Sequence, residues 1–133
     1  MTFVLDASIT AVWALVDESS TFADAARARL MTHTATVPHI WWYEIRNILL
    51  INERRQRLTN ADSLEFLKNL ALMPIQIDYA ASEDAIFRLA RKFRLSFYDA
   101  AYLELAERLS IPLSTIDTAL QAAAAAAGVP LLA

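Results

Sequence analysis

Residues 95–117 read LSFYDAAYLELAERLSIPLSTID, and two elements of different period lie within them. Phe97–Leu109 carries apolar residues at helical spacing. After a short turn, PLST has the length and composition of a strand, and it closes on a carboxylate, Asp117. A helix feeding a strand is half of a crossover unit, so the fold depends on whether the pattern repeats to either side.

It does. At the amino end TFVL is a strand that also closes on a carboxylate, Asp6, before a helix ITAVWALV from Ile9 with Ser8 placed as its cap. Thr21 and Asp24 form a capping-box-like pair ahead of AARARLM. ATVP is a second strand, stopped by Pro38, and a long helix follows from Ile40 to about Arg57. Thr59 and Asp62 open another helix over SLEFLKNLALM, PIQID is a third strand, and a helix covers Ala80–Arg94. Beyond Asp117 the alanine-rich ALQAAAAAAG is a helix closed by Gly128 at C′. VPLL is a last edge strand, because Pro130 excludes a central one. Alternation of this kind predicts an α/β fold: a mainly parallel sheet of four to five strands covered by helices on both faces. In such folds ligands gather outside the carboxyl ends of the strands. Asp6 and Asp117 both stand at such ends.

Composition narrows the chemistry. The 133 residues are read as one domain over 1–133, 56% hydrophobic, with a formal net charge of −3. Gly128 is the sole glycine, which removes the dinucleotide fingerprint and the P-loop. There is no cysteine, which removes thiol catalysis, disulfides and cysteine-ligated metals. No signal-peptide pattern and no apolar run of roughly 20 residues is visible, so a cytoplasmic protein without a membrane span is expected.

Two further acids interrupt apolar helical faces. Glu44 has Ile40, Trp41, Asn47 and Ile48 at three and four residues, and Asp99 has Leu95, Ser96, Tyr102 and Leu103. Each acid alone has an ordinary explanation: Asp6 as a turn residue, Asp117 as an N-cap, Asp99 as a charge at a helix start. Together they leave four carboxylates with few cations to compensate them. Carboxylates converging on one crevice raise one another's pKa, and a hard cation relieves the repulsion. Oxygen-only ligands suit Mg²⁺ or Mn²⁺ rather than zinc.

These residues, in this order, resemble the PIN-domain ribonucleases, specifically the VapC-type toxins of type II toxin–antitoxin pairs. LDASITAVWALVDES resembles the family opening through Asp6, Ser8, Trp13 and Glu18. VPHIWWYEIRNILL resembles the segment with the family's helix glutamate, which places that role on Glu44 with Asn47 one turn on. The Tyr-Asp-Ala and Tyr-Leu-x-Leu-Ala pattern puts a third acid on Asp99, and Thr115 and Asp117 complete a Thr-x-Asp. The resemblance implies a PIN-like three-layer α/β/α fold and metal-dependent hydrolysis of RNA. It further implies a small antitoxin partner and a homodimer.

On that reading Asp6 and Asp99 are the first choices for metal ligands. Glu44 and Asp117 complete the catalytic set directly or through water, and Ser8 and Thr115 are supporting or phosphate-contacting groups. His33 and His39 flank the second strand and would serve a histidine-dependent ribonuclease, though an ordinary turn position explains each. Arg54, Arg55 and Arg57, then Arg88, Arg91, Lys92 and Arg94, are clusters open to phosphate or to plain solvation. Trp41 and Trp42 are open to base stacking or to packing. Two rival readings remain: a phosphatase forming an aspartyl-phosphate on Asp6, and a non-catalytic interaction module whose acids hold a structural ion. The first is weakened by Ser8, which stands where a second acid would help, and by a chain whose only lysines are Lys68 and Lys92.

Overall fold

The computed structural model describes residues 2–132. In chain order the elements are β1 (Thr2–Leu5), α1 (Ala7–Ala14), α2 (Thr21–Arg29), β2 (Thr34–Pro38), α3 (Ile40–Arg54) and α4 (Asn60–Ala71). They continue with β3 (Ile75–Asp78), α5 (Glu83–Phe93), α6 (Phe97–Leu109), β4 (Leu113–Ser114) and α7 (Thr118–Ala126). The four strands form one sheet in the order β3-β2-β1-β4, and every pairing is parallel. Phe3 lies opposite Ala35, Ala35 opposite Ile75, and Val4 opposite Leu113.

Handedness then assigns the helices to faces. The chain steps from β1 to β2 to β3 in one direction and returns past β1 to β4 in the other. With right-handed crossovers, α1–α4 fall on one face and α5–α6 on the opposite one. The contacts agree: α1 packs on α2 and α3, whereas α6 lies against β1, β2 and β4 with α5 and α7 beside it. The result is a three-layer α/β/α fold.

Burial follows from this sandwiching. Phe3, Val4 and Leu5 are all buried without alternation, as a strand covered on both faces requires. Helix α6 is buried from Ala100 through Ala106, so it is the central helix of its layer. The alanines Ala123 and Ala124 of α7 are buried and bring that helix close to α6.

Helix ends explain several boundaries. Thr59 and Asp62 form a reciprocal capping box, with Asp62 N–H donating to Thr59 Oγ1 at 3.0 Å and Thr59 N–H to Asp62 Oδ2 at 2.9 Å. Asp117 caps α7 by accepting from Leu120 N–H at 3.1 Å. Gly128, with φ of +75°, supplies the left-handed residue just past that helix. Other boundaries depart from the sequence reading. The cap of α2 is Ser20, which accepts from Ala23 N–H, so Thr21 and Asp24 make no box. Helix α3 stops at Arg54 because Gln56 turns left-handed (φ 59°). Helix α5 begins at Glu83 behind the cap Ser82, not at Ala80. The expected fifth strand is reduced to a single bridge between Leu113 and Leu131.

Candidate active site

The strand order reverses between β1 and β4, and the crevice beyond their carboxyl ends is where an open parallel sheet offers a ligand site. Asp6 follows β1 directly and Asp117 follows β4. Glu44 enters from the second turn of α3 and Asp99 from the first turn of α6. Four separate elements thus deliver one acid each.

Asp6 is 4% exposed. Its backbone occupies the N-cap position of α1, but its carboxylate caps nothing. Two hydroxyls claim it instead: Ser8 Oγ and Thr115 Oγ1 each donate to Oδ2 at 2.6 Å. Ser8 is therefore a residue within α1, not its cap as the sequence suggested. Thr115 Oγ1 also accepts from Asp117 N–H at 3.0 Å, and Ser8 Oγ accepts from Ile116 N–H at 3.3 Å. The ends of β1 and β4 are thereby bound together around one oxygen atom.

The electrostatics show that the acids feel one another. Burial raises the Asp6 carboxyl above its ordinary range, opposed by the two hydroxyls and reinforced by Asp117. Burial also raises Glu44, with Asp6 and Asp99 adding repulsion against the lowering effect of Tyr102. Asp99 is raised by burial first, then by Asp6 and Asp117. A helix start by itself would lower the Asp99 carboxyl. Its upward shift means that desolvation and repulsion win.

In the sequence Tyr102 stands only as the first residue of the Tyr-Leu-x-Leu-Ala pattern, one turn beyond Asp99, with no role attached to it. Its side chain is fully buried and its hydroxyl donates to Glu44 Oε1 at 2.7 Å. Trp41 is core, its indole donating to Thr10 Oγ1 at 3.1 Å, while Trp42 is exposed beneath the Arg46 guanidinium. Trp13 and Glu18 hold neighbouring segments: the Trp13 indole donates to Ala23 O, and Glu18 pairs with Arg57. His33 bonds Thr32 at the amino end of β2, and His39 stacks on Tyr79 at the carboxyl end. Neither touches the four acids through a recorded hydrogen bond.

Residues 3–126 match the PIN domain family. The chain belongs to that family. Its members are generally nucleases, with divalent metals as their usual cofactors. Among solved structures, PAE2754 from Pyrobaculum aerophilum is similar over 92% of this chain and 84% of its own, at 26% identity and a TM-score of 0.72. The Mycobacterium tuberculosis toxin VapC20, described as cleaving the sarcin–ricin loop, is similar over 91% of this chain and 94% of its own. At 12% identity and a TM-score of 0.62 it shares the fold. No curated protein matches the chain in sequence.

The donor set fits a hard divalent cation. All four candidates are carboxylates, which suits Mg²⁺ or Mn²⁺. Among the described residues no three His, Asp or Glu groups close tightly enough to form a ready-made cage. Mg²⁺ needs none, since it keeps several waters and binds through one or two carboxylates plus substrate phosphate.

Proposed function

We propose that this PIN-domain protein is a Mg²⁺-dependent endoribonuclease, with Mn²⁺ as a substitute, acting as the toxin of a type II toxin–antitoxin pair. The observation that carries this reading is the delivery of Asp6, Glu44, Asp99 and Asp117 to the switch point of the sheet. Three of these carboxyls are raised by burial and by one another. Acids at that density repel a phosphodiester unless a cation reverses the local sign.

Asp6 and Asp99 are the proposed direct ligands, and Glu44 and Asp117 hold bound water or the ion's remaining positions. When bound, Mg²⁺ would polarise a phosphate oxygen and lower the pKa of a water. Ser8 and Thr115 orient Asp6 and oppose the upward pull of burial on its carboxyl. Arg91, Lys92 and Arg94 are the proposed phosphate contacts, because Leu95 and Ser96 alone separate Arg94 from the helix that carries Asp99. Arg57 is engaged with Asp17 and Glu18, and Arg54 and Arg55 lie about 15 Å along α3 from Glu44 at 1.5 Å per residue.

The sequence resemblance to VapC-type toxins supports an antitoxin partner and a homodimer as further parts of this proposal. The aspartyl-phosphate alternative gains nothing from the geometry: the Asp6 carboxylate is held by two hydroxyls, and among the described residues no lysine bonds it.

The test is incubation with labelled RNA in Mg²⁺, in Mn²⁺ and in excess chelator. Cleavage is expected with either metal, absent in chelator, and lost in Asp6→Ala and Asp99→Ala. Cleavage that persists in chelator would overturn the metal reading and return attention to His33 and His39.

A further inference from the structure

A cavity of about 300 Å³ lies at the same carboxyl end of the strands as the acids, beyond β2 and β3 instead of β1 and β4. Pro38, Ile86, Phe97 and Tyr98 give it apolar walls, and Asp78, Glu83 and His39 are its ionisable groups. Tyr98 is half exposed beside it, and Phe97 is braced edge-on by Phe87 at 5.0 Å between ring centroids. None of the lining residues is a lysine or arginine. Phosphate is therefore repelled, and a flat, neutral ring bearing hydrogen-bond donors is favoured.

The two carboxylates differ in what they have left to offer. Asp78 is engaged with Arg108 at 2.8 and 3.3 Å and accepts from Ala80 N–H at 3.0 Å. Glu83 makes no hydrogen bond or ion pair among the described residues. A carboxylate accepts through two adjacent oxygens and donates nothing. Of the four RNA bases, guanine alone sets two donors side by side on its Watson–Crick edge, N1–H and the N2 amino group. Adenine and cytosine place an acceptor beside their amino group, and uracil flanks its single N–H with two carbonyls. Each of those three turns an acceptor against a carboxylate.

Position links the cavity to the acids. Tyr98 precedes Asp99 on α6, and Ile40, which also lines the cavity, lies one turn before Glu44 on α3. We infer that the cavity takes an unstacked guanine adjoining the phosphodiester that the acids hydrolyse. Phe97 and Tyr98 pack on the base, and Glu83 accepts from N1–H and N2–H. Splayed bases held on aromatic side chains by their Watson–Crick edge are the usual means of reading single-stranded RNA. This inference rests on the endoribonuclease reading and narrows its substrate to single-stranded or looped RNA with guanine beside the cut.

The experiment uses short single-stranded oligoribonucleotides with one guanine, replaced in turn by inosine, adenine and an abasic residue. Wild type should cleave beside the guanine, and adenine there should lower kcat/KM roughly 5- to 150-fold. Glu83→Gln should flatten the difference between guanine and its replacements. Tyr98→Ala should remove most of the abasic penalty. A second measurement needs no cleavage: guanosine, but not adenosine, should shift the backbone amide resonances of Glu83 and Tyr98 in metal-free protein. Cleavage indifferent to the flanking base, with those amides unmoved by guanosine, would overturn the inference and leave the nuclease reading intact. If no RNA is cut, that reading fails, and the guanosine titration still decides the cavity. Shifts caused by an arginine-rich peptide and not by guanosine would assign the cavity to a protein partner and overturn the inference.

Discussion

Tyr102 Oη lies 2.7 Å from Glu44 Oε1, the one hydrogen bond recorded between α6 and an acid of α3. The tyrosine is buried and ordered by its helix, so it fixes which way a half-buried glutamate faces. It also lowers the Glu44 carboxyl against burial and against repulsion from Asp6 and Asp99. Tyr102→Phe keeps the ring and removes the donor. It should cost about 1–2 kcal/mol of stability and raise the Mg²⁺ concentration for half-maximal RNA cleavage about 10-fold or more. Thermal melting and a Mg²⁺ titration of cleavage measure the two effects. Unchanged metal dependence would show that Tyr102 has only a packing role.

Asp99→Asn should stabilise the metal-free protein, and the gain should depend on pH with a definite sign. The folded Asp99 carboxyl is raised above 3.8, chiefly by burial and then by Asp6 and Asp117. Below pH 3.8 the group is neutral folded or unfolded, and the substitution gains nothing. As pH rises through the folded value, the native state must ionise a carboxyl that its surroundings resist, so wild type loses stability that the variant keeps. The difference should level off at about 1 kcal/mol at low salt, after solvent screening of an open site. Added Mg²⁺ should raise the melting temperature of wild type more than that of the variant. A variant that melts lower than wild type in chelator at neutral pH would show that Asp99 is a helix-end charge outside any shared site.

Arg108 ties three parts of the α5–α6 layer together. Its guanidinium bonds Asp78 at the end of β3 and Glu104 on its own helix, and Glu104 also accepts from Ser82 N–H at the start of α5. Glu104 is only 2% exposed. Arg108→Leu leaves that charge buried without its cation and should destabilise the protein by about 3 kcal/mol. Adding Glu104→Leu should restore much of the loss. Chemical denaturation of the single and double variants checks this, and a double variant no better than the single would disprove the stranded-charge explanation.

In a chain with one glycine, three other residues among those described adopt the left-handed backbone: Gln56 at φ 59°, Arg94 at 54° and Ser110 at 55°. Residues with a Cβ pay roughly 1–2 kcal/mol there. Ser110→Gly should therefore stabilise the protein by about 1 kcal/mol, read as a rise in melting temperature. No rise would show that the flexibility glycine lends to the unfolded chain cancels the relief.

Unopposed expression in a bacterial host should arrest growth, and Asp99→Asn should relieve the arrest at equal protein level. Normal growth with abundant folded wild type would count against a toxin role and leave the nuclease chemistry to the RNA assay.

Helix α6 was legible in the sequence to its last residue because a long apolar pattern is bounded there by Ser96 and Ser110. The order of strands and helices and the strand-end positions of Asp6 and Asp117 were equally plain, since both acids stop apolar runs. The role of Ser8 is hidden in the sequence because a serine after a strand resembles a cap, whereas a contact 107 residues away, with Thr115, decides what it bonds. The burial of Glu104 has no local signal because its neighbours at three and four residues include Arg108, and an i, i+4 ion pair reads as surface until the fold buries it. The α2 cap moved by one residue, within what neighbouring hydroxyls can exchange. Pairing between the acids rests on their separation in space, which no local pattern encodes.

The two-residue strand β4 has a further consequence. Its outer edge is closed by the chain's last described residues: Leu113 N–H donates to Pro130 O at 2.9 Å, and Leu132 N–H donates to Leu113 O at 2.9 Å. Residues 129–132 therefore act as a latch on the strand that presents Thr115 and Asp117. Leu132→Pro would remove one bond of that latch and slacken one wall of the acidic crevice while the helices stay folded. Far-ultraviolet circular dichroism would then look normal in a variant that had lost its ability to organise the site, so helix content alone is no measure of whether the crevice is intact.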